Sequence, residues 1–351
     1  MKKVLVLLLA LVLVMTTVGT AMAAGKVGIS MPTKSLQRWN EDGNYLQAQF
    51  EAAGYEVELQ YAGDNDVPTQ VAQLETMLLN GCDVLVITAI ESTALGTVLA
   101  TAKENGVKVV CHDRIIMDTP AVDYYATFDN FQVGEIQGQY VVDTLGLAEG
   151  KGPFNIEFLA GDPGDNNATY FFNGAMSKVQ QYLDNGQLIC VSGQTSFDQV
   201  ATPSWKTETA QARMDDIIAA YYADGTPLDV VLCSNDSTAQ GATNALVAAG
   251  FEAGEGYPII TGQDCDIASM KNILKGLQSM SIFKDTRILA ARTVTIVNSI
   301  LAGTEVETNA VVSNNILDVP TYYATPLFAD INNYQELLID SGYYTADQLA
   351  D

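Results

Sequence analysis

The chain repeats one grammar almost from end to end. A short run rich in β-branched residues is followed by a break, then by apolar residues at helical spacing. In the first half, Lys26–Met31, Tyr55–Tyr61, Val84–Ala89, Val107–Arg114 and Asp123–Asp129 read as strands. Between them Ser35–Ala53, a stretch from Pro68 to just before Gly81, and Thr93–Asn105 read as helices. The grammar restarts at Phe131 with a helix to Leu145 and a glycine-rich break, Gly146–Gly152. Strands then fall at Phe154–Leu159, Leu188–Ser192, Val230–Cys233, Pro258–Thr261 and Ser279–Phe283. Helices fall at Asn167–Leu183, Thr207–Ala223, Ser237–Ala249, Ile267–Lys275 and Arg287–Leu301. Val311–Val319 and Tyr322–Leu327 close the chain as strands, before a short helix at Asn333–Ser341. Runs apolar on both faces belong in parallel sheets whose two sides are covered by crossover helices. Two such series predict an α/β protein of two doubly wound, Rossmann-like lobes, and 351 residues suffice for two cores. No Pro- or Ser-rich linker divides them. The crossings are expected as extended segments near Phe128–Gln132, Lys284–Thr286 and Leu317–Thr321. That assigns 24–130 plus 285–318 to an N-terminal lobe and 131–284 plus 319–351 to a C-terminal lobe.

In open α/β sheets ligands bind at the carboxyl ends of the strands. Three strands deliver polar side chains to that edge: Val107–Arg114, which ends in Asp113 and Arg114; Asp229–Asp236; and Ile259–Asp264. Any one of them reads equally well as a strand end that caps a helix. Three together predict a polar cleft between the lobes.

Catalytic equipment is thin. There is one histidine, His112, and no carboxylate pair stands out as an acid–base couple. No Gly-x-Gly-x-x-Gly follows the first strand, and no Walker or EF-hand loop occurs. An enzyme on this fold, such as a dehydrogenase, is therefore disfavoured, and neither cofactor nor metal is expected. What is present suits a polyhydroxylated ligand. Each sugar hydroxyl both donates and accepts, which Asp, Asn, Arg and Lys can answer. The two tryptophans, Trp39 and Trp205, offer flat rings for the C–H faces of a sugar, although each also reads as a core residue.

The start and the charge bear on location and partners. Met1-Lys2-Lys3, an apolar run from Val4 to Met15, and Ala21-Met22-Ala23 read as a signal peptide over 1–23, cleaved after Ala23. No Cys lies at that site, so a free periplasmic protein without a lipid anchor is expected. A sugar-responsive repressor would need a helix-turn-helix there instead. A formal net charge of −25 repels nucleic acid and anionic lipid. Five cysteines in no metal or redox spacing read as free thiols, with Cys233 and Cys265 the pair that could approach each other.

Several longer motifs carry a resemblance. Val27-Gly-Ile-Ser-Met-Pro-Thr-Lys-Ser-Leu-Gln-Arg-Trp39, Tyr124-Tyr-Ala-Thr-Phe-Asp-Asn-Phe-Gln-Val-Gly134, Lys151-Gly-Pro-Phe-Asn-Ile-Glu157, Asp165-Asn-Asn-Ala168, Thr209-Ala-Gln-Ala-Arg-Met-Asp215, Gly262-Gln-Asp264, Phe283-Lys-Asp-Thr286 and Ser341-Gly-Tyr-Tyr344 are of this kind. The chain resembles the multiple-monosaccharide-binding proteins of ABC importers, relatives of the periplasmic xylose-binding proteins. The resemblance implies the type I periplasmic binding-protein fold, with three crossings and an aldose pyranose of the xylose, glucose, galactose or arabinose class in the cleft. It implies a monomer that delivers the sugar to an ABC permease, or one that presents its closed form to a chemoreceptor or sensor kinase. It also implies the contacts. Arg38, Asp113, Arg114, Asn167, Asn235, Asp264 and Lys284 would bond the hydroxyls, while Trp39 and Trp205 would wall the ring. Lys34 is a further, lower-ranked contact. Relatives commonly carry Tyr where this chain has His112. Strand alternation points His112 away from Asp113, so it is expected behind the site as a structural residue.

Overall fold

The computed structural model describes residues 25–350, so the expected signal peptide lies outside the described residues. The first lobe is built on a seven-stranded sheet of order β11-β12-β5-β4-β3-β1-β2. Its strands are β1 (Lys26–Met31), β2 (Glu56–Tyr61), β3 (Val84–Ile87), β4 (Lys108–His112), β5 (Tyr124–Phe128), β11 (Ala310–Ser313) and β12 (Asp318–Ala324). All pairings are parallel except that of β11 with β12. Both faces are covered, as parallel sheets require. Leu85, Ile87, Val109 and Cys111 pack into one apolar cluster. Their neighbours Val84, Val86 and Val110 pack into another on the opposite face.

Helices of eight residues or more are numbered. The first lobe has α1 (Gln37–Ala52), α2 (Val67–Leu79) and α3 (Gly96–Glu104). The second lobe has α4 (Asn130–Leu145), α5 (Asn166–Asp184), α6 (Thr207–Tyr221), α7 (Asp236–Ala248) and α8 (Ile267–Leu274). The last helix, α9 (Thr286–Ala302), returns to the first lobe, where Leu289, Ala290, Val294 and Val297 join the core under Leu46 and Phe50. The second sheet is parallel, of order β7-β6-β8-β9, from Leu188–Ile189, Phe154–Leu159, Val230–Cys233 and Ile259–Ile260. A parallel bridge from Gln263 to Ile282 leads on to an antiparallel pair, β10 (Met280–Phe283) with β13 (Leu327–Asp330).

One segment departs from expectation. Val311–Val319 is a hairpin rather than one strand. Asn314 turns it: its Oδ1 accepts the Leu317 N–H at 2.8 Å, and its Nδ2 donates to Thr119 O at 2.8 Å. Asn315 follows at φ +74°, a backbone that asparagine tolerates better than most residues. The hairpin keeps the chain in the first sheet, where Thr321 pairs with Tyr125. The crossing therefore falls after Ala324, and not at Leu317–Thr321 with a boundary between 318 and 319.

Candidate functional site

Asp113 stands just past the end of β4 with φ +61°. The surroundings over-determine this strained backbone. Its N–H donates to Ala126 O at 2.8 Å. Its carbonyl accepts from Tyr125 Oη (2.7 Å), Thr127 Oγ1 (2.9 Å) and Asn167 Nδ2 (2.8 Å). Asp264, past β9, repeats the device at φ +99°, with its N–H donating to Ile282 O at 2.8 Å.

These two carboxylates meet Arg38, in the first turn of α1. Its Nη2 donates to Asp113 Oδ2 at 2.7 Å, its Nη1 to Asp264 Oδ1 at 3.1 Å, and its Nε to Asp42 Oδ2 at 2.7 Å. The guanidinium thus ties the first lobe to the second. Lys284 lies 3.0 Å from Asp264 and 4.0 Å from Asp113. Arg114 packs 4.9 Å from the Trp39 ring and donates through Nη1 to Ala89 O at 3.1 Å. Its Nε is 2.9 Å from Asp165 Oδ2 but is not aligned for a hydrogen bond, so that contact is an ion pair only.

The remaining walls come from helix starts and one tight turn. Asn235 caps α7, its Oδ1 accepting the Thr238 N–H at 3.0 Å. Asn167 opens α5 behind its cap, Asp165. Trp205 ends a one-turn helix in which Ser204 and Trp205 both have left-handed φ, +60° and +56°. Its ring lies over Gly161, where any Cβ would collide with the indole. Phe171 meets it edge-on at 6.3 Å. Neither indole N–H, of Trp39 or of Trp205, has a partner among the described residues, although both are buried.

All nine expected contacts, Arg38, Trp39, Asp113, Arg114, Asn167, Trp205, Asn235, Asp264 and Lys284, line one cavity between the lobes. It encloses about 410 Å³ including its mouth. Lys34 is elsewhere, exposed with its Nζ 4.8 Å from the Tyr61 ring. His112 is fully buried on the far side of Arg38, with Nδ1 2.9 Å from Thr293 Oγ1 and Nε2 3.5 Å from Asp42 Oδ1. The five cysteines are free thiols.

Sequence reasoning missed Leu36, Asp165, Phe171, Ser237, Gln263 and Asp266, which line the same cavity. Phe171 follows Asn167 by four residues and so shares its helix face, a signal that was available. Asp266 is two residues beyond Asp264, in Asp-Cys-Asp.

Burial pushes the Asp113 carboxyl up, but Arg38, Lys284, His112 and Arg114 outweigh it and hold the group at about 2. Burial works against the Arg38 charge, yet Asp42, Asp113 and Asp264 keep its pKa well above the usual value. Asp266 goes the other way, raised by burial and by Asp236 and Asp264. Among the described residues, no group of three His, Cys, Asp or Glu is placed to hold a metal. The cavity presents fixed donors and acceptors and no activated nucleophile.

A family model described as a periplasmic binding protein domain matches residues 27–305. The chain belongs to the periplasmic binding protein family. Like its relatives, this binding protein is a solute receptor and not an enzyme. It is 48% identical to the multiple sugar-binding periplasmic receptor ChvE of Rhizobium radiobacter, over 93% of this chain and 92% of that one. It is 49% identical to the multiple sugar-binding periplasmic protein SbpA of Azospirillum brasilense, over 92% of this chain and 90% of that one. A solved ABC transporter solute-binding protein from Clostridium phytofermentans, with bound β-D-glucose, is 58% identical and superposes with a TM-score of 0.90. The match covers 93% of this chain and all of that one.

Proposed function

We propose that this binding protein captures one aldose, in pyranose form, between its lobes and delivers it to the permease of an ABC importer. The observation that carries the reading is the cavity itself. It is small, closed by both lobes, and framed by ion pairs that fix donors and acceptors in place. Arg38, Arg114 and Lys284 donate to sugar hydroxyls, Asp113 and Asp264 accept from them, and Asn167 and Asn235 supply amides. Trp39 and Trp205 cover the apolar faces of the ring. Prior pairing of the charges lowers the cost of ordering the site around a ligand. The relatives named as sugar-binding, and the related structure with bound glucose, support the same ligand class.

The protein acts in the periplasm as a monomer after losing residues 1–23. The permease takes the closed form. One relative is named a receptor, which supports a second use, presentation of the closed form to a chemoreceptor or sensor kinase.

Titrating the purified protein with xylose, glucose, galactose and arabinose tests the reading. The expected result is a change in tryptophan fluorescence and a raised melting temperature with at least one of them. No response to any aldose refutes it. Labelled-sugar uptake lost on deletion assigns import. Chemotaxis lost with uptake intact assigns the sensory use alone.

A further inference from the structure

His112, the single histidine of the chain, lies fully buried behind the cavity. It ends β4 on the face where Val110 packs with Leu46 of α1 and Leu289 of α9. We propose that His112 is a positioning residue of the sugar site: it takes up a proton as the lobes close, and as imidazolium it fixes Asp42 and, through Asp42, the Arg38 guanidinium. The proposal rests on the reading of the cavity as an aldose site and adds a pH dependence to that site.

Hydrogen-bond accounting places the charge on the ring. Thr293 Oγ1 donates to Leu289 O at 3.0 Å, so its proton is committed and it accepts from His112 Nδ1 at 2.9 Å. Nδ1 therefore carries a proton. Across the ring, Nε2 lies 3.5 Å from Asp42 Oδ1. Both atoms are buried, and neither has a hydrogen-bond partner among the described residues. In a neutral ring protonated at Nδ1, the Nε2 lone pair faces a carboxylate oxygen, and two acceptors go unanswered. Buried groups in that condition are rare in native structures. One proton between them answers both. It belongs on the ring, because Arg38 Nε, donating to Asp42 Oδ2 at 2.7 Å, favours the carboxylate.

Closure supplies the reason for the proton to arrive then. Within the first lobe Arg38 serves Asp42 and Asp113, and the second lobe adds Asp264. Asp165 meets Arg114 at the same step, and Lys284 meets Asp113 and Asp264. The second lobe thus brings two carboxylates and one ammonium to the network, and Asp42 shares its guanidinium more widely. Both changes favour a cation at His112. The other elements against the ring add no charge. From α9 it meets Thr293, from β3 Thr88, whose Oγ1 donates to His112 O at 2.9 Å, and from β5 Ala126. Tyr61 of β2 feels Asp42, but burial and that charge raise its phenol, which stays neutral. A closed form that holds the proton more firmly binds sugar best at low pH and loses affinity as pH rises through the histidine range. Burial also raises the carboxyls of Glu41, Asp165 and Asp266, so the contribution of His112 is read against a variant.

Titrating the untagged protein with xylose, glucose, galactose and arabinose at pH 6, 7 and 8.5 tests this. His112→Gln keeps an amide donor for Asp42 and does not titrate. For the tightest of the four sugars, the ratio of wild-type to His112→Gln affinity is expected to fall at least threefold from pH 6 to 8.5. A ratio constant with pH overturns the proposal and leaves the aldose reading standing. A second readout needs no variant, because nitrogen-15 labelling of a single histidine gives a single imidazole signal. With sugar bound at pH 7 both ring nitrogens are expected to carry protons, and removing the sugar is expected to lower that fraction. A ring that stays neutral from pH 6 to 8.5 with sugar bound, or whose titration sugar does not shift, overturns the proposal. No binding of any aldose at any pH overturns the reading of the cavity, and the linkage with it.

Discussion

Asp113 decides the electrostatics of the cleft, because one carboxylate oxygen serves both Arg38 and Lys284. Asparagine at 113 keeps the left-handed backbone, which alanine would strain, and keeps the shape. It removes the charge. A hydrogen bond to a charged group contributes roughly 1.5–3 kcal/mol. Asp113→Asn is therefore expected to weaken sugar binding by about 10- to 100-fold, read by fluorescence titration. The same variant gives a pH signature. The folded carboxyl, at about 2, releases its proton more readily than the usual 3.8. Its stabilisation is thus complete above the unfolded value and is lost as pH falls towards 2. The difference is on the order of 2 kcal/mol. The gap in melting temperature between wild type and Asp113→Asn should be constant from pH 5 to 7 and close between about pH 4 and 2. A gap undiminished at pH 2 would remove the charge argument. What the sequence revealed at this scale were strand ends: Asp113, Asn235 and Asp264 follow apolar runs. Asn235 shows why a strand end is ambiguous, since it both caps α7 and lines the cavity. Partners distant in sequence, such as Asp165 beside Arg114, could not be read, because only the fold brings them together.

Among the elements, the crossing of α4 on α5 positions one wall of the cavity. Gly134 sits against the Phe171 carbonyl, and Gly174 against that of Phe131, so a Cβ at either would strike main chain. Backbone oxygens cannot rotate aside as a side-chain tip can. Asn167 and Phe171 ride on α5 into the cavity. Gly134→Ala is thus expected to cost about 1–3 kcal/mol by overpacking, and to weaken sugar binding as α5 shifts. Gly96, at the start of α3, has open space around its absent Cβ and no positive φ. Gly96→Ala should therefore be neutral or stabilising by up to about 1 kcal/mol. Thermal melts of the two variants should move in opposite directions or leave Gly96→Ala unmoved. Equal losses would mean that the helix contact is not the cause. Most elements were legible, because buried parallel strands and amphipathic helices each have their own period. The β11–β12 hairpin was not. Asn314 makes its turn through side-chain bonds to Leu317 and to the 116–119 loop, within a run that is otherwise β-forming.

At the scale of the molecule, the lobes touch on both sides of the cavity. On one side Ser92 N–H donates to Gly164 O at 3.1 Å, and Ser92 Oγ accepts the Asn166 N–H at 3.1 Å. On the other, Gln37 Oε1 accepts the Ile267 N–H at 3.1 Å, and Gln37 Nε2 donates to Tyr344 Oη at 2.8 Å. The Ser341-Gly-Tyr-Tyr344 motif has no role that the sequence alone reveals. The fold supplies one, since Tyr344 also donates to Cys265 O at 3.0 Å and so anchors the latch in the second lobe. No periodicity could have paired it with Gln37. If the lobes part to admit sugar, as the proposed function requires, the bonds of Gln37 to Ile267 and Tyr344 must break. Gln37→Met keeps the bulk and removes both bonds between the lobes, together with the bond of Gln37 Nε2 to Glu41 Oε1 within α1. At about 1 kcal/mol each, the closed form should lose about 2 kcal/mol, roughly a thirtyfold weakening of apparent affinity. The encounter of sugar with the open cleft precedes the latch, so the association rate should hold and the release rate should carry the loss. Stopped-flow tryptophan fluorescence separates the two rates. A Gln37→Met protein that bound more slowly but released sugar at the wild-type rate would place Gln37 in the encounter and not in the latch.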